Sequence, residues 1–202
     1  YSKKVLYIPN KEAKNTSIKI YFPISLYRGD KNFPYLSALA EIIGGDFTSI
    51  LMTELRVKHE LVYGAKCNFF TNFCGSGCEI EISTLDKNIK KVLDMVFKLI
   101  KKYKKTKIPK NKLENVKNKS LVRFYERSFN NTDKLSSFFK FQFLFQLHKK
   151  QKKIYTYDEY AKIIKKMSLK KVQELFNKLF NTEHCIVGYI GKTKINFTEK
   201  DY

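Results

Sequence analysis

Apolar positions along the chain recur with two periods, and the switches between them mark the elements. Residues 17–26, SIKIYFPISL, alternate for half their length and are rich in β-formers. They predict a strand, with Pro23 placing it at an edge or a bulge. NFPYLSALAEIIGG, residues 32–45, predicts a helix. Pro34 suits its first turn, Leu36, Leu39, Ala40 and Ile43 share a face, and Gly44 and Gly45 end it. A second helix follows to about His59, with Asp46 or Thr48 as cap and Ile50, Leu51 and Leu55 as its buried stripe. Residues 62–73 and 78–84, on either side of CGSGC, predict a hairpin. In its return strand Cys78, Ile80 and Ile82 face one way and Glu79 and Glu81 the other, so one face is buried and one is wet.

The second half of the chain is helical until its end. Asp86 is placed to cap a long helix striped by Ile89, Val92, Leu93, Val96 and Ile100. Pro109 breaks the chain and can start the next helix, lined less cleanly by Leu113, Val116, Leu121 and Phe124. KLSSFFKFQFLFQLH, residues 134–148, is apolar nearly all round, which predicts a buried helix. Thr156 and Glu159 form a capping box for another, and Ser168 caps a last helix with Leu169, Val172, Leu175, Phe176 and Leu179 on its apolar face. HCIVGYIG, residues 184–191, is a nearly all-apolar strand and is expected to be central. This order predicts an α+β fold: a mainly antiparallel sheet with helices packed on one face, in one domain without repeats.

Composition and charge narrow the function classes. The 202 residues are 43% hydrophobic and 15% aromatic, enough for a core, so disorder is excluded. Lys and Arg total 40 against 19 Asp and Glu, a formal net charge of +21. Such a charge attracts polyanions and anionic membranes nonspecifically, which leaves a basic nucleic-acid or membrane-surface binder as the weakest of the readings. The lysines are scattered from end to end, and Arg is sparse, at positions 28, 56, 123 and 127. A specific nucleic-acid reader gathers Arg on one face. The dense run from Lys98 to Lys112 falls where a helix should end, where cations suit the helix dipole. No apolar run has transmembrane length, and the first fifteen residues contain no signal-peptide core. Four cysteines (Cys67, Cys74, Cys78 and Cys185) are too few for a disulfide scaffold, which favours an intracellular compartment, cytoplasmic or organellar such as the mitochondrion.

Catalytic chemistry is hard to place in this chain. A zinc-peptidase helix needs two His one turn apart with a Glu beside them. His59, His148 and His184 are too far apart in sequence to share a turn, and neither HExxH nor HxxEH occurs. Cys74 and Cys78 flank a glycine turn, and with His184 and Cys185 they could complete a zinc site only by a coincidence of folding. No GxSxG nucleophile elbow or Cys/His pattern is present. What remains is Arg56 near a helix end and Tyr63 at the start of the next strand. A guanidinium and a phenol there could converge on one anionic or carbonyl oxygen; equally, they could be a surface Arg and a strand-anchoring Tyr.

IIGGDFTSILMTELRVKHELVYGAKCNFFTNFCGSGCEIEIST resembles the second-domain signature of the insulinase/pitrilysin family of zinc metallopeptidases. The matching features are Gly44-Gly45, Ser49, Leu51, Leu55-Arg56, Leu61-Val62-Tyr63, and Gly75 and Gly77. The capped helix and Gly-ended strand of the tail also resemble the family, and the likeness runs over about residues 15–191. The resemblance implies a LuxS/MPP-like metallopeptidase domain of the C-terminal, zinc-less type. It implies a peptide-binding half whose partner, in the same precursor or a separate subunit, carries the zinc and the general base. No cofactor is then expected in this chain, and no hydrolysis by it alone. By match of motif, Arg56 and Tyr63 would reach the bound peptide, with Tyr63 hydrogen-bonding the transition state. The alternative is an inactive structural or assembly subunit that keeps the fold.

Overall fold

The computed structural model describes residues 4–26, 30, 32–71, 76–129, 132–149 and 153–201. Among them five strands form one sheet in the order β1-β5-β2-β4-β3. The strands are β1 Lys4–Pro9, β2 Thr16–Ile24, β3 Val62–Thr71, β4 Ser76–Thr84 and β5 Ile186–Gly191. Only β1 and β5 run parallel; the other pairs are antiparallel. The helices are α1 Phe33–Gly44, α2 Ile89–Lys105, α3 Lys110–Phe129, α4 Thr132–Lys149, α5 Tyr157–Lys165 and α6 Leu169–Leu179, with a π-helix over Met52–Lys58 between α1 and β3.

Alternation divides the sheet into two faces. Ile18, Ile20 and Phe22 of β2, Cys78, Ile80 and Ile82 of β4, and Val187 and Tyr189 of β5 are buried in one cluster with the stripes of α1, α2 and α6. Phe180, just past α6, meets Phe22 edge-on at 5.2 Å and Phe176 at 4.9 Å, closing the helix layer onto the sheet centre. The α2 stripe expected from its spacing is buried throughout, and each such side chain contributes about 2 kcal/mol in area bookkeeping. On the opposite face lie Lys19, half-buried Tyr21, Glu79 and Glu81, and exposed Lys66, Asn68 and Phe70. Tyr21 and Phe70 stack there at 5.7 Å. Gly77 belongs to β4 rather than the turn, opposite Pro23 and Phe70, and a Cβ at that position would enter both rings. Cys74 and Gly75 lie outside the described residues.

Several local expectations hold with their geometry. The Thr156–Glu159 capping box is reciprocal, with the Glu159 N–H donating to Thr156 Oγ1 at 3.3 Å and the Thr156 N–H to Glu159 Oε2 at 2.9 Å. Ser168 caps α6 by accepting from the Lys171 N–H at 3.3 Å. β5 is flanked on both sides, by β1 and β2.

Others are corrected. β2 lies at the middle of the sheet rather than at an edge. Pro23 is tolerated because β5 pairs only with Ser17–Tyr21, so β2 is locally an edge where the proline stands. Asp86 does not cap α2, which follows a 3-10 turn. It accepts hydrogen bonds from the Thr16 hydroxyl and from the Thr193 N–H at 2.8 Å, tying β2 to the loop after β5. The apolar α4 is not buried all round: among its described side chains Phe139, Phe143 and Leu147 form an exposed row at four-residue steps, while Gln142 is buried. Gly44 and Gly45 do end α1, but neither is left-handed; Gly45 has φ −82° and ψ −42°. Gly44 is there for room, because a Cβ would lie 2.7 Å from the Lys66 carbonyl carbon and closer still to the Cys67 nitrogen. Helix and strand thus touch backbone to backbone, and this contact sets where the next turn begins.

Candidate functional site

After Gly45 the chain makes a tight turn fixed from both ends. The Asp46 carboxylate accepts from the Thr48 N–H at 2.8 Å and the Thr48 hydroxyl at 2.7 Å, which closes this turn rather than capping the second helix as expected, since the helical residues begin only at Ile50. It also binds Lys119 of α3, and Lys112 of α3 donates to the Thr48 carbonyl. Burial works against the Asp46 charge, but the hydrogen bonds from Lys119 and Thr48 outweigh it and hold the carboxyl at about 2. The folded carboxyl is therefore more acidic than the unfolded one, and acid favours unfolding. Its contribution to stability is complete above about pH 4 and is lost as pH falls through about 2. Lys119→Met is expected to lower the urea midpoint at about pH 6, and the difference should shrink as pH falls through about 2 and vanish below it, where Asp46 is protonated in both.

The turn presents Phe47, whose side chain is 62% exposed. An exposed aromatic between two helices was the signal for this residue, and sequence reasoning passed over it. The Arg56 guanidinium lies over its ring, 5.1 Å from the centroid. Arg56 comes from the segment expected to be an α-helix, which is instead wound as a π-helix over Met52–Lys58. Its inner side, Met52 and Leu55, is buried, and Arg56 stands on its exposed side. The helix exits through Glu60 at φ 52°, a left-handed conformation uncommon for a residue with a side chain. Leu61 is then anchored, its N–H donating to Leu55 O at 2.8 Å and its carbonyl accepting from the Thr84 hydroxyl at 2.5 Å.

A β-bulge follows. Val62 pairs with Thr84 and Gly64 with Ser83, so Tyr63 is an extra residue in β3. Without it Tyr63 would share the inward parity of Ala65 and Cys67. With it Val62 takes the inward place and Tyr63 turns outward, 53% exposed. The Tyr63 carbonyl accepts a hydrogen bond from Arg56 Nη1. The phenol makes no hydrogen bond to any described residue. Arg56 and Tyr63 are thus brought together, with the guanidinium fixed by a ring on one side and a carbonyl on the other. Its remaining N–H groups, of the five a guanidinium carries, and the Tyr63 hydroxyl are the donors this corner offers. The edge of β3 just beyond is closed to an added strand, since the Ala65 N–H donates to Met52 Sδ at 3.2 Å and Gly44 packs on the Cys67 nitrogen.

Among the described residues no three His, Cys, Asp or Glu side chains come together as a metal site requires. His59 and His184 are both exposed, while Cys78 and Cys185 are buried. Among the described residues no helix is long and apolar enough to cross a membrane.

The architecture is an α+β layer pair, a mostly antiparallel sheet with one helix-covered face and an Arg–Tyr pair at its β3 corner. The family profile of the peptidase M16 inactive domain matches residues 1–120. The chain belongs to that family, the zinc-less type of domain within the insulinase/pitrilysin metallopeptidases. No curated protein matched the sequence. Among solved structures the fold is similar to a peptidase M16 inactive domain from Pseudomonas fluorescens, with TM-score 0.76 and 20% identity over 97% of this chain and 45% of that one. It is also similar to a protease from Helicobacter pylori, with TM-score 0.75 and 14% identity over 94% of this chain and 44% of that one. The inactive peptidase domain of a candidate zinc protease from Bordetella parapertussis aligns with TM-score 0.74 and 12% identity over 94% of this chain and 100% of that domain. The chain therefore spans less than half the length of the first two and the whole of the third.

Proposed function

We propose that this chain, as one domain, is the non-catalytic, peptide-binding half of an insulinase-type zinc metallopeptidase, and that it completes the active site of a zinc-bearing half. The observation that carries this reading is the bulge at Tyr63. Three backbone irregularities (a π-helix, a left-handed Glu60 and the bulge) fall within Met52–Gly64, and together they turn a phenol outward beside a fixed guanidinium. Irregularities of this kind gather at functional sites because a fold does not keep them for packing.

In the complete enzyme the partner half supplies the metal and the general base. This chain's residues bind and orient. The Tyr63 hydroxyl donates to the oxygen on which negative charge develops as the scissile carbonyl becomes tetrahedral. Arg56 holds a backbone carbonyl or an acidic end of the peptide, and Phe47 keeps the guanidinium from swinging away. Peptide cleavage by the complete enzyme is the assay. Arg56→Ala is expected to raise KM about 10- to 100-fold, the worth of one or two charge-assisted hydrogen bonds. Arg56→Lys should restore little of this, because an ammonium cannot both lie flat on Phe47 and donate sideways. Unchanged KM in both variants would refute the role given to Arg56.

A second reading has one observation in its favour. The exposed row Phe139, Phe143 and Leu147 on α4 is the kind of surface an inactive structural or assembly subunit would offer. On that reading Arg56 and Tyr63 support the fold, and substituting them changes assembly or stability without changing peptide turnover.

A further inference from the structure

The helix-facing side of the β3–β4 hairpin holds two thiols that the peptide-binding reading does not use. Cys67 of β3 and Cys78 of β4 are both buried, and their Sγ atoms lie 3.5 Å apart in a thiol–thiol hydrogen bond. They are not directly opposite. Cys67 pairs with Ile80 and Cys78 with Phe69, so the two meet diagonally across the ladder. On the same side stand Ala65, Ile80 and Ile82, which offer no further ligand, and among the described residues no third metal-binding side chain joins the pair.

We propose that Cys67 and Cys78 are a modification site, an oxidisable dithiol that closes to a reversible disulfide with a low-molecular-weight disulfide as co-reactant. One cysteine loses its proton to solvent, and its thiolate attacks a sulfur of the co-reactant RSSR. The S–S bond breaks, one RS⁻ leaves, and a mixed disulfide remains. The second cysteine, deprotonated in turn, attacks the protein sulfur of that mixed disulfide and expels the other RS⁻. The two leaving thiolates take up the two released protons. Two electrons pass from the cysteine pair to RSSR, which ends as two RSH, and one S–S bond now joins β3 to β4.

Burial governs how fast this happens. Removal from water pushes the Cys78 thiol up, and its hydrogen bond with Cys67 adds to the effect, so thiolate is scarce while the hairpin is closed. Among the described residues β3 is an edge strand paired with β4 alone, its other side held by Met52 and Gly44, and local opening of those contacts is the gate. Geometry governs how long the bond lasts. The sulfurs must close from 3.5 Å to about 2.05 Å, and diagonal neighbours start further apart than opposed ones. The bond therefore forms under tension and is readily reduced, which makes it a switch on the strand that carries Tyr63 rather than a permanent staple.

The test uses the full chain held in glutathione buffers from reducing to oxidising, then unfolded in an alkylating agent and mapped by mass spectrometry. The expected product is a Cys67–Cys78 peptide two hydrogens lighter than the reduced pair. It should accumulate with the oxidised fraction, disappear on adding dithiothreitol, and persist when Cys74 and Cys185 are both replaced by Ser. Amide exchange along β3 should slow about tenfold in the crosslinked form. A crosslink that runs through Cys74, or glutathione adducts on single cysteines with no crosslink, overturns the proposal.

Discussion

Replacing Tyr63 by Phe is expected to slow peptide cleavage by the complete enzyme about 10²- to 10³-fold at saturating substrate, with KM changed less than about threefold. The substitution removes one hydroxyl and nothing else. Tyr63 is 53% exposed and its phenol binds no described residue, so the substitution removes no hydrogen bond to the described residues and keeps the ring. Stability should stay within about 0.5 kcal/mol of the parent, as for most surface changes. The Arg56 bond survives because it goes to the Tyr63 carbonyl, which every residue at that position carries. What is lost is a donor that matters once charge has developed on the reacting oxygen. One such donor contributes about 3 kcal/mol to the transition state and little to the bound ground state. Deleting the bulge itself, by removing Val62, should be worse than losing the hydroxyl. It would set Tyr63 opposite Thr84, two residues from Ala65, and turn its side chain toward the helices, away from Arg56.

Gly44→Ala is expected to destabilise the chain by about 3 kcal/mol, at the upper end for overpacking, and to lower Tm by about 6–12 °C. The added methyl would sit 2.7 Å from the Lys66 carbonyl carbon, with the Cys67 nitrogen nearer still. Both neighbours are backbone, so no side chain can swing aside. Either α1 shifts along β3 or β3 bends away from β4, and each breaks contacts of fully buried residues such as Leu39 and Ile80. Helix propensity pulls the other way, since Ala is better than Gly inside a helix by about 1 kcal/mol, but it is the smaller term. A thermal melt decides between them. The damage should also reach the site, because the Asp46–Ser49 turn begins two residues on and carries Phe47.

How legible all this was depends on the range over which each feature is decided. The α2 stripe, the Thr156 capping box and the β4 alternation are local, and the structure places them as their spacing dictates. β1 gave no such signal. Its Leu6 and Ile8 face outward, and the strand exists because β5, some 180 residues later, offers it a parallel partner. The Asp46–Lys119 pair is equally silent, since one lysine among many scattered ones cannot be matched to its carboxylate from sequence. The residue stripe of α4 misled for another reason. A helix apolar on every side says that something should cover it, and neither its composition nor its spacing says what. At the site, the proximity of Arg56 and Tyr63 was legible and the geometry was not. A π-helix adds a residue per turn without altering the residues themselves. The bulge did leave a trace, since adjacent Leu61 and Val62 break the alternation that Ala65 and Cys67 continue.

The measurement that bears most directly on the central claim is a side-by-side cleavage assay of the isolated chain and of the protein purified from its native source with whatever remains bound to it. The account predicts that the native preparation contains an HxxEH-bearing half, in the same polypeptide or in a stoichiometric companion, and cleaves peptides in a chelator-sensitive way. It predicts that the isolated chain cleaves none. A native preparation with no such half and no cleavage, or an isolated chain that hydrolyses peptides unaided, would contradict it.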